Sequence, residues 1–210
     1  MRLSYLFSEC LAADYVTLAG GVDYAAKRRD GVLSLFFEAS DGAADWRKNL
    51  DFPAAAYRRH GRTVFSAHRG FLSAWRVAEA AVAPLLADPT LTGITLVGYS
   101  HGAAIAVLSH EYVWYHRPDL RPRLTGYGFG CPRVVFGGAA RRLAERWERF
   151  TVVRNLDDLV THLPPAVLGY RHVGRLLEVG ERGRYSATDA HRPENLLAEL
   201  LRAERKGSRA

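Results

Sequence analysis

The sequence predicts an α/β fold, a mainly parallel central sheet flanked by helices, and three observations carry that expectation. Residues 94–108, ITLVGYSHGAAIAVL, join an unbroken β-favouring run to an Ala-rich apolar run through a glycine-bounded turn, the pattern of a buried strand feeding a buried helix. Strand-like and helix-like segments alternate along most of the chain, as a parallel sheet with crossover helices requires. No repeat, linker or low-complexity tract interrupts the 210 residues, so a single domain over 1–210 is expected.

Residues 1–15, MRLSYLFSECLAADY, carry one Arg and a few apolar residues, and Glu9 interrupts them too early for the apolar centre of a secretory leader. Residues 15–26 read as extended chain bent at Gly20-Gly21, and 27–31 as a charged turn ending in Asp-Gly, a hairpin signal. VLSLFF at 32–37 is then a central strand, ending at Glu38-Ala39-Ser40. Residues 41–52 are polar, with Ala43, Trp46 and Leu50 at i, i+3 and i+7, which gives a short helix one narrow apolar face. Residues 64–67 form a short strand, and His68-Arg69-Gly70-Phe71 leads into a helix over 72–86 that the turn at Asp88-Pro89 closes. The helix after Ser100 ends before Pro118.

Residues 124–130, LTGYGFG, read as another strand. Their alternating glycines do not make a phosphate loop, because no Lys-Ser/Thr follows and no helix opens directly after them. Residues 139–147 are helical, 150–153 a strand, 172–179 a last strand, and 193–204 an amphipathic helix preceded by Ala190-His191.

Composition narrows the class. A 48% hydrophobic content is that of a soluble globular domain. The net charge of +7 is mostly arginine, since only Lys27, Lys48 and Lys206 are lysines. The arginines are scattered, with small clusters at 58–62 and 141–142, and no nucleic-acid-binding pattern accompanies them, so no nucleic-acid partner is expected. They read mainly as a solvated surface, with contact to a membrane surface through anionic headgroups as the weaker reading. Cys10 and Cys131 make no disulfide framework, which points to a reducing compartment. No run approaches the roughly 20 apolar residues of a membrane span, and the expected location is cytoplasmic.

The chemistry is expected at Gly98-Tyr99-Ser100-His101-Gly102. A serine on so sharp a strand-to-helix turn is tolerated only where its neighbours leave room, and Gly98 and Gly102 supply it. The turn frees Ser100 Oγ from the sheet and points the His101 amide from the helix start toward a developing oxyanion. A serine nucleophile needs a base, and the base an orienting acid. In α/β-hydrolases they follow in the order Ser, Asp/Glu, His, each in a loop after a strand. Asp158, with Asp157 beside it, lies after the strand at 150–153. His191 lies beyond the last strand, whereas His172, the other late histidine, starts one. A zinc site is not expected: His110 and His116 are six apart, roughly 240° around a helix, and share no face.

At these residues the chain resembles the class 3 (fungal-type) lipases of the α/β-hydrolase superfamily, from about Val32 to the final helix. FFEAS at 36–40 followed by DWRKNLDF resembles the family's Phe-Arg-Gly-Ser strand end and lid, and AHRGFLSAW at 67–75 its His-Lys-Gly-Phe helix start. GYSHG is the elbow, FGCPRV at 129–134 resembles Gly-Ser-Pro-Arg-Val, and DAHRPENLLAEL at 189–200 the His-containing start of the last helix. NLDDLVTHLPP at 155–165 resembles Asn-x-x-Asp-Ile-Val-Pro-x-Leu-Pro-Pro, which aligns Asp158 rather than Asp157 with the family's catalytic acid.

The resemblance implies an α/β-hydrolase fold with a short lid helix, a triad of Ser100, Asp158 and His191, oxyanion donors at Ser40 and the His101 amide, and a lid centred on Trp46. It implies hydrolysis of lipid carboxylic esters through an acyl-enzyme, with no cofactor and no metal; the alternatives are an esterase for small soluble esters and a non-catalytic binding protein on the same fold. Glu38-Ala39 stands where the family has Arg-Gly, and Thr161 where it has Pro, so Glu38 brings negative charge near a site that must hold an anion unless its side chain points away.

Overall fold

The computed structural model describes residues 2–38 and 52–207. Ser40, Trp46 and nearly all of the helix expected over 41–52 lie outside the described residues.

In chain order the elements are α1 (Leu3–Leu11), β1 (Val16–Leu18), β2 (Val22–Arg29), β3 (Val32–Glu38), β4 (Ala54–Arg59), β5 (Arg62–His68), α2 (Arg69–Leu86), β6 (Gly93–Tyr99), α3 (His101–His116), β7 (Leu124–Phe129), β8 (Val135–Phe136), α4 (Ala139–Arg142), β9 (Phe150–Asn155), β10 (Tyr170–Arg171), β11 (Arg175–Val179) and α5 (Pro193–Gly207). The main sheet runs β1-β2-β3-β6-β7-β9-β11. From β3 to β11 the strands pair in parallel, and β1 and β2 add antiparallel at one edge. A second, antiparallel sheet runs β10-β8-β5-β4.

The Asp-Gly signal makes the β2–β3 hairpin: Asp30 (φ 50°) and Gly31 (φ 80°) are both left-handed, the conformation a two-residue turn of this hand needs. The charged residues 27–29 belong to β2 rather than to the turn. Two further expectations are corrected. The last strand starts at Arg175, not 172, because Tyr170 and Arg171 pair with β8 in the second sheet. The helix expected over 139–147 breaks after Arg142 into a 3-10 turn at Ala144–Trp147.

Each face of the main sheet buries its own apolar layer. On one face α2 and α3 cover Leu33, Leu35, Phe37, Ile94 and Leu96. On the other, α1 and α5 cover Ala25, Phe36, Val97, Phe129 and Val153. Helix α3 is buried along most of its length, and its small residues Ala103, Ala104 and Ala106 let it lie close against β6 and β7.

The basic cluster at 58–62 is not all surface. Glu111 of α3 is fully buried, and Arg146 Nη1 meets its Oε1 at 2.6 Å while Arg59 Nη2 meets its Oε2 at 3.3 Å. The Arg59 guanidinium also lies 4.7 Å from the ring centres of both Tyr57 and Tyr112, so this arginine docks the β4–β5 hairpin onto α3. Across the molecule, the Glu204 carboxylate of α5 accepts from the Ser4 amide at 2.9 Å and the Ser4 hydroxyl at 2.7 Å, which ties α5 to the first turn of α1.

Candidate active site

The site forms where β6, β7 and β9 end, and its geometry begins with the backbone of Ser100. Ser100 has φ 53° and ψ −120°, a conformation a non-glycine residue holds only under constraint. Its amide donates to the Phe129 carbonyl at 2.9 Å, which pins the elbow to the end of β7. A Cβ on Gly98 would sit 2.3 Å from the Gly102 carbonyl oxygen, and one on Gly102 would sit 2.0 Å from that of Phe37. Strand β6, helix α3 and the end of β3 meet so closely that neither position accepts a side chain.

Asp158 is fully buried and caps the short 3-10 turn Leu159–His162, its Oδ1 accepting from the Val160 amide at 2.9 Å. Thr161, at the position where the resemblance has a proline, turns its hydroxyl back to the Asp158 carbonyl at 2.8 Å and so braces the same loop. Asp158 Oδ2 remains for the histidine. With the proton on Nδ1, His191 donates to Asp158 Oδ2 at 2.8 Å, and its Nε2 accepts from Ser100 Oγ at 2.8 Å. Asp157 faces the opposite way, where its Oδ2 accepts from the exposed Gly183 amide at 2.7 Å. His172 stands apart as well, with Nε2 2.9 Å from the Thr161 carbonyl, and burial lowers its pKa to about 4.

Three neighbours hold His191 that the sequence reading assigned no role. The Tyr99 ring stacks on the imidazole at 5.2 Å, and its hydroxyl donates to the His191 carbonyl at 2.5 Å. Asn155 Nδ2 donates to the Ala190 carbonyl at 3.1 Å. Gly130 lies under the ring with φ 57°, and a Cβ there would come within 2.9 Å of His191 Cε1 and 3.3 Å of Asp158 Oδ2. The available signals were the Tyr inside GYSHG, the Asn opening NLDDLV and the Gly of FGCPRV.

His101 begins α3, so its amide lies in the first turn, where no intrahelical carbonyl is available to it. Its ring turns toward α2, 5.3 Å from the Phe71 ring. Burial, and then the neighbouring His68, lower its pKa to about 4, so it is neutral near pH 7. His68 itself caps α2, its Nδ1 accepting from the Phe71 amide at 3.4 Å. The alternation of β3 sends Glu38 to the face Phe36 takes, opposite His101, where it is paired across the strands with Asp23. Burial, then the Asp23 charge, raise the Glu38 pKa. Glu38 therefore points away from the His101 side of the elbow. Among the described residues no group of His, Cys, Asp and Glu could hold a metal ion.

A parallel sheet that presents a serine elbow, with an acid and a histidine arriving from successive later loops, defines an α/β-hydrolase. The profile of the family Lipase (class 3) matches residues 34–168, and the chain belongs to that family. Among curated relatives, the secreted mono- and diacylglycerol lipase 1 of Fusarium solani is 34% identical over 110 residues, covering 50% of this chain and 32% of its own. The lipase of Rhizomucor miehei is 28% identical over 148 residues, 68% of this chain and 40% of its own. Phospholipase A1-II 4 of Oryza sativa subsp. japonica is 29% identical over 195 residues, 80% of this chain and 48% of its own. The chain thus spans about a third to a half of the length of these relatives.

The lipase from Rhizopus microsporus var. chinensis superposes with a TM-score of 0.71 at 21% identity, over 89% of this chain and 71% of that one. The expectation of a cytoplasmic protein is corrected by the Fusarium relative, which is by name secreted. That expectation leaned on the first residues, and their apolar side chains, Leu6, Phe7 and Cys10, are taken up in packing α1 onto the sheet and carry no information on compartment.

Proposed function

We propose that this protein is a serine hydrolase of lipid carboxylic esters working through Ser100, His191 and Asp158. The observation that carries the reading is the unbroken Ser100–His191–Asp158 hydrogen-bond chain, 2.8 Å at each link, on an elbow held in a strained conformation. Ser100 Oγ attacks the acyl carbonyl while Nε2 of His191 takes its proton, and buried Asp158 holds the tautomer and balances the imidazolium. The carbonyl oxygen becomes an oxyanion, held by the amide of His101 together with Ser40. Collapse of the intermediate breaks the bond to the alcohol oxygen, which leaves with the proton from His191. Water, deprotonated by His191, then attacks the acyl-enzyme, releases the carboxylic acid and restores Ser100.

Lipid esters are the substrate class that the lipase and phospholipase names of the relatives support. The net charge of +7 supports contact with an anionic lipid surface during turnover. The test is labelling with a fluorophosphonate probe together with ester hydrolysis. Wild type should label at one serine and Ser100→Ala should lose both labelling and about four orders of magnitude in kcat. A Ser100→Ala protein retaining a tenth of the activity would defeat the assignment, and labelling with turnover of soluble short-chain esters alone would move the substrate class to small esters.

A further inference from the structure

A cavity of about 1040 Å³ opens between α4, the 3-10 turn that follows it and the chain from β10 into β11, and none of Ser100, Asp158 and His191 lines it. One wall carries Arg141, Glu145 and Glu148, and the other carries Arg171 and Arg175. None of these five charged side chains forms an ion pair among the described residues. A cavity of this volume is on the order of 10 Å across, beyond the roughly 8 Å Debye length at physiological salt, so the acids and arginines of facing walls do little for one another. Arg171 is anchored by its Nη1, which donates to the Ala166 carbonyl at 2.6 Å and to the Tyr170 carbonyl at 2.8 Å. Its Nε and Nη2 remain as donors. His172 also lines the cavity, and its Nε2 lies 2.9 Å from the Thr161 carbonyl. A carbonyl accepts and never donates, so Nε2 holds the proton, and Nδ1 is left as a buried acceptor without a partner.

The distribution of charge selects among ligands. Two arginines on one wall match the several oxygens of a phosphate better than the two of a carboxylate. The glutamates on the facing wall repel a bare anion and accept from an ammonium group. No Phe, Tyr or Trp lines the cavity, so it offers no aromatic cage for a quaternary ammonium, and the cation it fits is a primary ammonium with three N–H donors.

We propose that this cavity is a second binding site, for a phosphate ester that bears a primary ammonium group. Arg171 and Arg175 hold the phosphate, and Glu145 and Glu148 hold the ammonium. With Arg141 the lining has three arginines against two glutamates, which suits a ligand whose own charge is neutral or slightly negative. A free phosphomonoester of this kind and the headgroup of a zwitterionic lipid share that chemistry. No step at Ser100 is involved, so the site stands apart from the hydrolase reading.

The experiment is calorimetric titration of the full chain with phosphoethanolamine, phosphocholine and glycerol phosphate, together with flotation on phosphatidylcholine vesicles with and without phosphatidylethanolamine. Phosphoethanolamine should bind at least about fivefold tighter than either of the other two esters, the size of one charge-assisted contact at a partly solvated site. Arg175→Gln should weaken it about five- to tenfold on the same grounds. Glu145→Gln combined with Glu148→Gln should bring it down to the level of glycerol phosphate. All three residues are exposed, so thermal melts of these variants should match wild type. Vesicle binding that needs both phosphatidylethanolamine and Arg175 supports the site with a lipid headgroup as its source, and binding of the free ester alone supports it with a soluble one. No saturable binding of phosphoethanolamine, free or in vesicles, overturns the proposal. Equal affinity for glycerol phosphate overturns it as well, and so does affinity unchanged within about twofold in a folded Arg175→Gln protein.

Discussion

The ring of Tyr99 lies 19° from parallel to that of His191, 5.2 Å away, and the same side chain donates its hydroxyl to the His191 carbonyl. Tyr99 immediately precedes Ser100, so the residue that leads into the elbow also sets the plane and height of the His191 ring. The elbow and the histidine loop, 91 residues apart in sequence, are thereby set by one side chain.

Separating the two contacts predicts graded effects. Tyr99→Phe keeps the stack and removes a hydrogen bond worth about 1 kcal/mol, so kcat/KM should fall only a few-fold. Tyr99→Leu removes both and should lose at least about tenfold in kcat with KM little changed. Steady-state kinetics on one ester checks this, and equal losses in the two variants would remove the stack from the account.

Asp158 and Asp157 separate cleanly. Asp158→Asn should leave His191 in the wrong tautomer and lose about four orders of magnitude in kcat. Asp157→Asn loses an exposed bond to the Gly183 amide and should stay within about threefold of wild type. A kinetic comparison giving the reverse ranking would sink the assignment.

The elbow glycines differ from other glycines in what a methyl group meets. Gly102→Ala would place Cβ against the Phe37 carbonyl and should cost about 3 kcal/mol or more, with loss of Ser100 labelling. Gly138→Ala, at φ −75° with nothing within 4 Å of its Cβ, should be close to neutral. Denaturant midpoints of the two variants measure the contrast.

Acid should unfold this protein through its buried histidines. Burial lowers the pKa of His101 and His172 to about 4 and of His110 to about 3, against 6.5 for the free side chain. Between those values the unfolded chain binds the extra protons, so the stability is fully present above about 6.5 and drains as pH falls toward 4. Each histidine adds a slope on the order of 1 kcal/mol per pH unit in that window. His110→Leu should flatten the dependence of the unfolding free energy on pH by about one proton between pH 6 and 4.5. An unchanged slope would show that His110 takes up its proton in the folded state.

The parts of this fold legible in the sequence are those where local pattern and tertiary role agree. Residues 94–108 are buried on all sides as strand and helix, so their apolar runs and bounding glycines report directly on position. The Asp-Gly turn is local chemistry. Helix α1 was missed because Leu6, Phe7 and Cys10 become a buried face only once α5 and the sheet stand behind them. Strand β4 was missed because AAAYRR has little strand propensity of its own and is held by pairing with β5 and by Arg59 reaching Glu111. Arg59 read as surface for the same reason: its partner lies 52 residues away. The order of Ser100, Asp158 and His191 along the chain suggested that they meet, as they do, whereas Tyr99, Asn155 and Gly130 touch His191 through contacts that order does not encode.

The bond between Ser4 and Glu204 has a mechanical meaning. Glu204 belongs to the helix that opens two residues after His191, and its carboxylate occupies the amide end of α1. Tension applied across these two helices would load that junction ahead of the parallel strands, whose ladders lie within the sheet. Slack introduced there would reach the first turn of α5, two residues from His191.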